Sequence, residues 1–255
     1  EKLCENLRES GAEVTQLSLA KVFKSYDFDS GIFSPGFARY IRKSLDGVGV
    51  HASVLGCYIN PIEPDEGKRR QQLEKFKTQI LYARYIGADA VATETGRCME
   101  EDREKNFKIL VESVKELTDY AAKFGVSVAI EAASPHTVCN AKMMKRLIDE
   151  VGAPNLGVIF DNVGIMNSPE YSKEDKEWQH KIVDEYFDLL RERIYFVHLK
   201  DFIGTGKDYH SAVALSGETD TQYILEKLKR EKPHIDVILE MANHIQFKEI
   251  VSKLK

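Results

Sequence analysis

The feature that most narrows the fold is an alternation. Short apolar, strand-like runs begin near residues 14, 48, 89, 126, 156, 194 and 235, and a helical pattern fills each interval. Between Asp65 and Ile86, Leu73, Phe76, Ile80 and Ala83 recur at three- and four-residue spacing, and Gly87 follows as a stop. From Arg103 to Phe124 the stripe is Phe107, Leu110, Val114, Leu117, Ala121 and Phe124, closed by Gly125. Met143, Met144, Leu147 and Ile148 repeat the pattern before Gly152, and Trp178, Ile182, Val183, Tyr186 and Leu190 repeat it again. Ser34 to Leu45, Thr219 to Lys229 and Ile245 to Leu254 read as further helices. Strands separated by helices cannot pair as hairpins, so the pattern implies a parallel sheet.

The choice is then between an open doubly wound sheet and a closed barrel. No Gly-rich dinucleotide loop follows the first strand, and 255 residues is a typical length for one α/β barrel. The expected fold is therefore a (β/α)8 TIM barrel, one domain over residues 1–255. Only seven strands are present, and Glu1 to Ser10 reads as a helix stopped by Gly11. The expectation is a barrel lacking its first strand, which would precede Glu1. Such a barrel should show a gap or weak closure between the strand of Val14 and the strand of Glu240.

Four of the runs end alike. Val126 to Glu131 (VSVAIE), Leu156 to Asp161 (LGVIFD) and Ile235 to Glu240 (IDVILE) each stop on a side chain able to bind a metal or move a proton, and Ile194 to Asp201 (IYFVHLKD) ends by turning His198 and Lys200 to one face. The two-residue period of a strand puts Ser127 and Ala129 on the face of Glu131, Gly157 and Ile159 with Asp161, and Asp236 and Ile238 with Glu240. It likewise groups Ile194, Phe196, His198 and Lys200. In a TIM barrel the active site lies at the C-terminal ends of the strands, so these residues converge on one point. Three buried carboxylates without a partner would repel one another, and a divalent cation removes that penalty. Carboxylate and imidazole donors without sulfur suit Mn²⁺ or Mg²⁺, and Co²⁺ or Zn²⁺ also fit.

Composition excludes several classes. The net charge is −5 with both signs interspersed, which argues against a nucleic-acid or anionic-membrane surface. Neither a run of about eighteen apolar residues nor a charged-then-apolar leader is present, so the expectation is no membrane span and a cytoplasmic protein. Cys4, Cys57, Cys98 and Cys139 follow no metal-site spacing and read as reduced thiols. A small polar molecule is the expected partner.

The segments AIEAASPHTV, LGVIFDNVGIMN, YFVHLKDF and VILEM, with VLGCYINP and VATETG upstream, resemble the sugar phosphate isomerase/epimerase family of the xylose isomerase-like barrels, also called AP endonuclease family 2. The likeness runs from Val14 to Glu240. It implies that Glu131, Asp161, His198 and Glu240 hold the metal, and that Glu131 and Glu240 are the catalytic acid/base pair, one on each face of the substrate carbon. The implied activity is isomerisation or epimerisation of a sugar through an enediolate. An inosose-type dehydratase is the first alternative, followed by an AP-endonuclease-like phosphodiester hydrolase and a non-catalytic sugar-binding barrel. The hydrolase has a histidine three residues after the aspartate, where this chain has Gly164, although Asp208-Tyr-His210 superficially resembles its motifs. Relatives of this kind are often dimers or tetramers.

Five further residues are candidate substrate contacts. Glu94 ends the preceding strand, where the family often has histidine, and reads as a substrate contact, an outer partner of the metal or a loop cap. Lys200 could bind a phosphate or carboxylate as a point charge. His136, Asn60 and Arg97 lie in strand-end loops. Asp201 either orients Lys200 or caps its loop, and His51, at the start of its strand, reads as structural. The loops Phe202 to Gly217 and Val163 to Lys173 should select the substrate.

Overall fold

A computed structural model describes residues 2–24, 33–166 and 176–254. In chain order the elements are α1 (Lys2–Ser10), β1 (Val14–Leu17), α2 (Leu19–Val22), α3 (Pro35–Asp46), β2 (His51–Gly56), α4 (Glu66–Ile86), β3 (Ala90–Glu94), α5 (Arg103–Ala122), β4 (Ser127–Glu131), α6 (Ala141–Val151), β5 (Leu156–Asp161), α7 (Asn162–Met166), α8 (Glu177–Leu190), β6 (Ile194–Leu199), β7 (Asp201–Ile203), β8 (His210–Ala212), α9 (Thr221–Glu231), β9 (Asp236–Leu239) and α10 (His244–Leu254). Seven strands form one parallel sheet in the order β1-β2-β3-β4-β5-β6-β9, ringed by helices as the alternation requires. Among the described residues no helix is long and apolar enough to cross a membrane.

Local chemistry sets the helix limits. Asp65 caps α4 by accepting from the Lys68 amide at 2.9 Å, and Gly87 ends it at φ +90°, a left-handed turn that glycine adopts without strain. Packing divides the sheet's two faces. Leu55, Val91, Val128, Ile130, Phe160 and Val197 join Ile80, Phe107, Leu110 and Phe187 in the core between sheet and helices. Val54, Ala90, Ala92, Ala129, Ile159 and Phe196 fill the barrel interior, where the small alanines match the narrow space.

The barrel closes everywhere but at one seam. Among the described residues, β1 and β9 share no hydrogen-bonded ladder, and a cleft of about 320 Å³ separates them, walled by Leu7 of α1, Val14, Leu239 and Phe247 of α10. This is the gap expected between the strands of Val14 and Glu240.

Two sequence expectations are corrected. Ile194 does not share the inward face of Phe196: the register of β6 against β5 slips between Val158 and Ile159, and Ile194 joins the outer core. The Tyr195 ring instead covers Gly157, where a Cβ would stand 2.1 Å from its Cδ2. Secondly, the loop Phe202 to Gly217 contains the antiparallel β7-β8 hairpin. In the loop Val163 to Lys173, residues up to Met166 lie in α7, and 167–173 fall outside the described residues.

Candidate active site at the C-terminal ends of the strands

The parallel register carries the four strand ends to one level. Glu94 of β3 and Glu131 of β4 are Cα partners, as are Asp161 of β5 and His198 of β6. Glu240 follows β9 directly, and its amide donates to the Leu199 carbonyl at 3.1 Å. His198 is 0 % exposed, Asp161 1 % and Glu131 6 %. One donor atom from each of these three lies within 4.8 Å of the others. Glu240 joins through His198, whose Nδ1 stands 3.2 Å from Glu131 Oε2 and 3.3 Å from Glu240 Oε1. That nitrogen is buried and lacks a well-directed hydrogen bond, an orphan aimed into a cluster of carboxylates.

Lys200 enters the same cluster. Its Nζ lies 2.5 Å from both Asp161 Oδ2 and Glu240 Oε2. Burial works against its charge, but the carboxylates of Asp161, Glu240 and Glu131 hold the ammonium form well above its ordinary range. Its backbone is tied down by Asn162, which donates to the Lys200 carbonyl at 2.9 Å and accepts from its amide at 3.2 Å. The ammonium proposed as an anion contact is thus engaged by two acids of its own chain.

The acids are not equivalent. Burial, and then the Asp161 charge, push the Glu131 pKa up to about 8. Asp161 moves the other way: burial would raise it, but Lys200 and a hydrogen bond with Glu131 hold it below the usual carboxylate range. Its Oδ1 also accepts from the amides of Val163 and Gly164 at 2.9 and 3.0 Å. For His198, burial disfavours the imidazolium, and the surrounding carboxylates outweigh it and raise the pKa.

The remaining candidates divide. His136 is buried, its Nδ1 without a hydrogen-bond partner and 3.8 Å from Glu94 Oε2, and burial holds its pKa down. Arg97 is exposed and bridges to His136 through the backbone. Asn60 is occupied by its own loop, accepting from the Ile62 amide at 3.4 Å and donating to Glu63 Oε2 at 3.3 Å. Asp201 caps its loop: it accepts from the amides of Phe202 (2.8 Å), Gly217 (2.7 Å) and Thr219 (2.8 Å). His51 lies at the opposite end of the barrel, 2.8 Å from Asp89 Oδ2.

Sequence reasoning missed two residues. Gln16, in β1, holds its Oε1, an acceptor, 2.8 Å from His198 Nε2, and its own amide nitrogen donates to the Tyr58 hydroxyl at 2.9 Å. Tyr58 lies just beyond β2; burial, then the charges of Glu131, Glu240 and Glu94, hold its phenol pKa well above the ordinary value. Gln16 left a faint trace as a polar residue between Val14 and Leu17 in a short strand.

A sequence model described as "Xylose isomerase-like TIM barrel" matches residues 4–254. No curated protein matches the sequence significantly. Among solved structures, the probable 3-DHS dehydratase AsbF from Bacillus anthracis superposes with a TM-score of 0.75 at 15% identity, over 99% of this chain and 92% of that one. The 3-keto-D-glucoside 4-epimerase YcjR from E. coli gives 0.72 at 14% identity, over 98% and 92%. A xylose isomerase-like TIM-barrel protein from Mycobacterium smegmatis in complex with magnesium gives 0.72 at 15%, over 99% and 86%.

Proposed function

The chain belongs to the xylose isomerase-like TIM-barrel family, and from that premise we propose that it is a divalent-metal-dependent isomerase or epimerase of a small sugar or sugar derivative. The observation that carries this reading is the orphaned Nδ1 of His198, buried between Glu131 and Glu240 with Asp161 in the same cluster. Its donor set is oxygen and imidazole nitrogen, which suits Mn²⁺ or Mg²⁺ first, with Co²⁺ or Zn²⁺ as the alternatives. A cation held by Glu131, Asp161, His198 and Glu240 would supply positive charge beside the oxygen where an enediolate develops.

The chain's own residues account for the proton. Without a metal, burial and the Asp161 charge raise the Glu131 carboxyl, and a cation held beside it would favour the carboxylate instead, so Glu131 would meet the substrate as a base. Glu240 reaches the same imidazole nitrogen from the end of β9, three strands further round the barrel from Glu131, so a substrate carbon between them has a carboxyl on either side. Removal by one and return by the other inverts the carbon; return to the neighbouring carbon interconverts aldose and ketose. Lys200 and the two α7 amides keep Asp161 ionised.

Two other readings differ in standing. Dehydration shares the opening proton abstraction, with a hydroxyl then leaving the adjacent carbon, and the likeness to a probable dehydratase keeps it second. The phosphodiester hydrolase is disfavoured at Gly164: a Cβ there would stand 2.8 Å from the Ala132 carbonyl, so this backbone has no room for a histidine.

The test is incubation with Mn²⁺ and a panel of ketoses, sugar phosphates and inososes in deuterated water. Deuterium at the α carbon with a product isomeric to the substrate supports the proposal, and loss of water supports the dehydratase. No exchange with any carbonyl sugar overturns both.

A further inference from the structure

We infer that Tyr58 is a further substrate contact, a hydrogen-bond donor whose direction is imposed by a polar chain running from His198 through Gln16. The inference rests on the proposed metal site. When His198 Nδ1 gives its lone pair to a cation, the ring hydrogen must sit on Nε2. That nitrogen is 2.8 Å from Gln16 Oε1, so it donates there. A carboxamide has an acceptor at one end and donors at the other; with its oxygen on His198, its NH₂ faces Tyr58 at 2.9 Å and the phenol oxygen accepts. A phenol that accepts from one side has its own hydrogen left to give.

Among the described residues the Tyr58 hydroxyl donates to no acceptor, and the residue is 39 % exposed at the barrel mouth, within electrostatic reach of Glu131, Glu240 and Glu94. The backbone makes room for the arrangement at Gly56, where a Cβ would meet Tyr58 Cε2 at 3.2 Å and Gln16 Nε2 at 3.4 Å. Lys21 Nζ lies 5.0 Å from the ring centroid and helps to hold the ring in place. The ligand atom that suits this donor is an oxygen rich in charge: a sugar hydroxylate, a carbonyl or the developing enediolate. Gln16 is a positioning residue that acts through its two neighbours.

The test separates metal from donor. Mn²⁺ affinity is measured by calorimetry, and then binding of acetohydroxamate, whose adjacent oxygens imitate an enediolate, to the Mn²⁺-loaded protein. Tyr58→Phe should leave Mn²⁺ affinity within about twofold and weaken acetohydroxamate about 10- to 100-fold, the range for losing one hydrogen bond to a charged group. Gln16→Glu still offers His198 an acceptor, so Mn²⁺ should bind, but it offers Tyr58 an acceptor in place of a donor. The phenol hydrogen then turns inward and acetohydroxamate should weaken as in Tyr58→Phe. Gln16→Leu should weaken Mn²⁺ itself, by about 10- to 100-fold. Wild-type acetohydroxamate affinity in Tyr58→Phe or Gln16→Glu, or no acetohydroxamate binding by the Mn²⁺-loaded wild type, overturns the chain and leaves the metal site standing. Failure of the wild type to bind Mn²⁺ overturns the metal reading, and the inference with it.

Discussion

Two histidines mark the two ends of this barrel. His51 opens β2 and pairs with Asp89 Oδ2 at 2.8 Å, both side chains about half exposed. His198 lies near the end of β6, fully buried, with its Nδ1 orphaned among acids. Beside His51, the Ser53 hydroxyl donates to Asp236 Oδ2 at 2.5 Å, so at that end an acid meets its partner locally. At the other end Glu131, Asp161 and Glu240 face one ammonium and one imidazole. Residue type does not distinguish the ends; a crowding of acids round one buried imidazole does, and such a cluster is costly unless protons or a bound cation balance it.

The comparison breaks most sharply in a Glu131→Gln, Glu240→Gln double variant. We expect Mn²⁺ affinity and deuterium exchange to fall by more than about a thousandfold, because two of the converging carboxyl groups, the proposed acid/base pair, are removed. Retention of either by calorimetry or NMR would remove the mechanism.

Next comes the site's effect on stability. Glu131 has a folded-state pKa of about 8 against 4.5 for the free carboxyl, so its stabilising contribution is complete below the lower value and lost as pH rises through the higher. The raised pKa of His198 acts in the same direction, and Asp161, with its lowered pKa, acts only at acid pH. The metal-free protein should therefore lose thermal stability as pH rises from about 5 to about 8.5, and Glu131→Gln should flatten that slope. A midpoint in EDTA that rises over this range would contradict the burial argument.

Gly217→Ala tests the loop beyond β6. A Cβ there would stand 2.1 Å from the Phe202 carbonyl and 2.8 Å from Asp201 Oδ1, so the carboxylate cap must open. A loss of about 2 kcal/mol, or roughly 4–8 °C in the unfolding midpoint, is expected. The smallest effect belongs to the opposite end. His51→Ala removes an exposed ion pair and should change stability by less than about 1 kcal/mol, with exchange and Mn²⁺ affinity untouched. A large loss of Mn²⁺ affinity in that variant would erase the distinction between the two ends.

Much of this was legible in the chain. Period-two strands and glycine-stopped helices recur in fixed order, and that order dictates a parallel sheet ringed by helices and a seam between the strands of Val14 and Glu240. The strand-end rule located Glu131, Asp161, His198 and Glu240, because a charged or metal-capable side chain at the end of an apolar run stands out one-dimensionally. The limits are equally physical. A register slip at Val158 sends Ile194 to the outer core and Tyr195 over Gly157, and a slip depends on the neighbouring strand rather than on either sequence alone. The choice of Asp201 for its loop over Lys200 depended on three amides from Phe202 to Thr219 folding back upon it. Lys200 looked available to an anion until the barrel brought Asp161 and Glu240 against it. Gln16 and Tyr58 are 42 residues apart, and Gln16 lies 182 from His198; neutral and individually unremarkable, they acquire a common direction only when β1, β2 and β6 meet at the barrel mouth. Composition and periodicity determined the barrel and its acidic mouth, whereas closure of the sheet decided which of those polar atoms are paired and which are left facing the pocket.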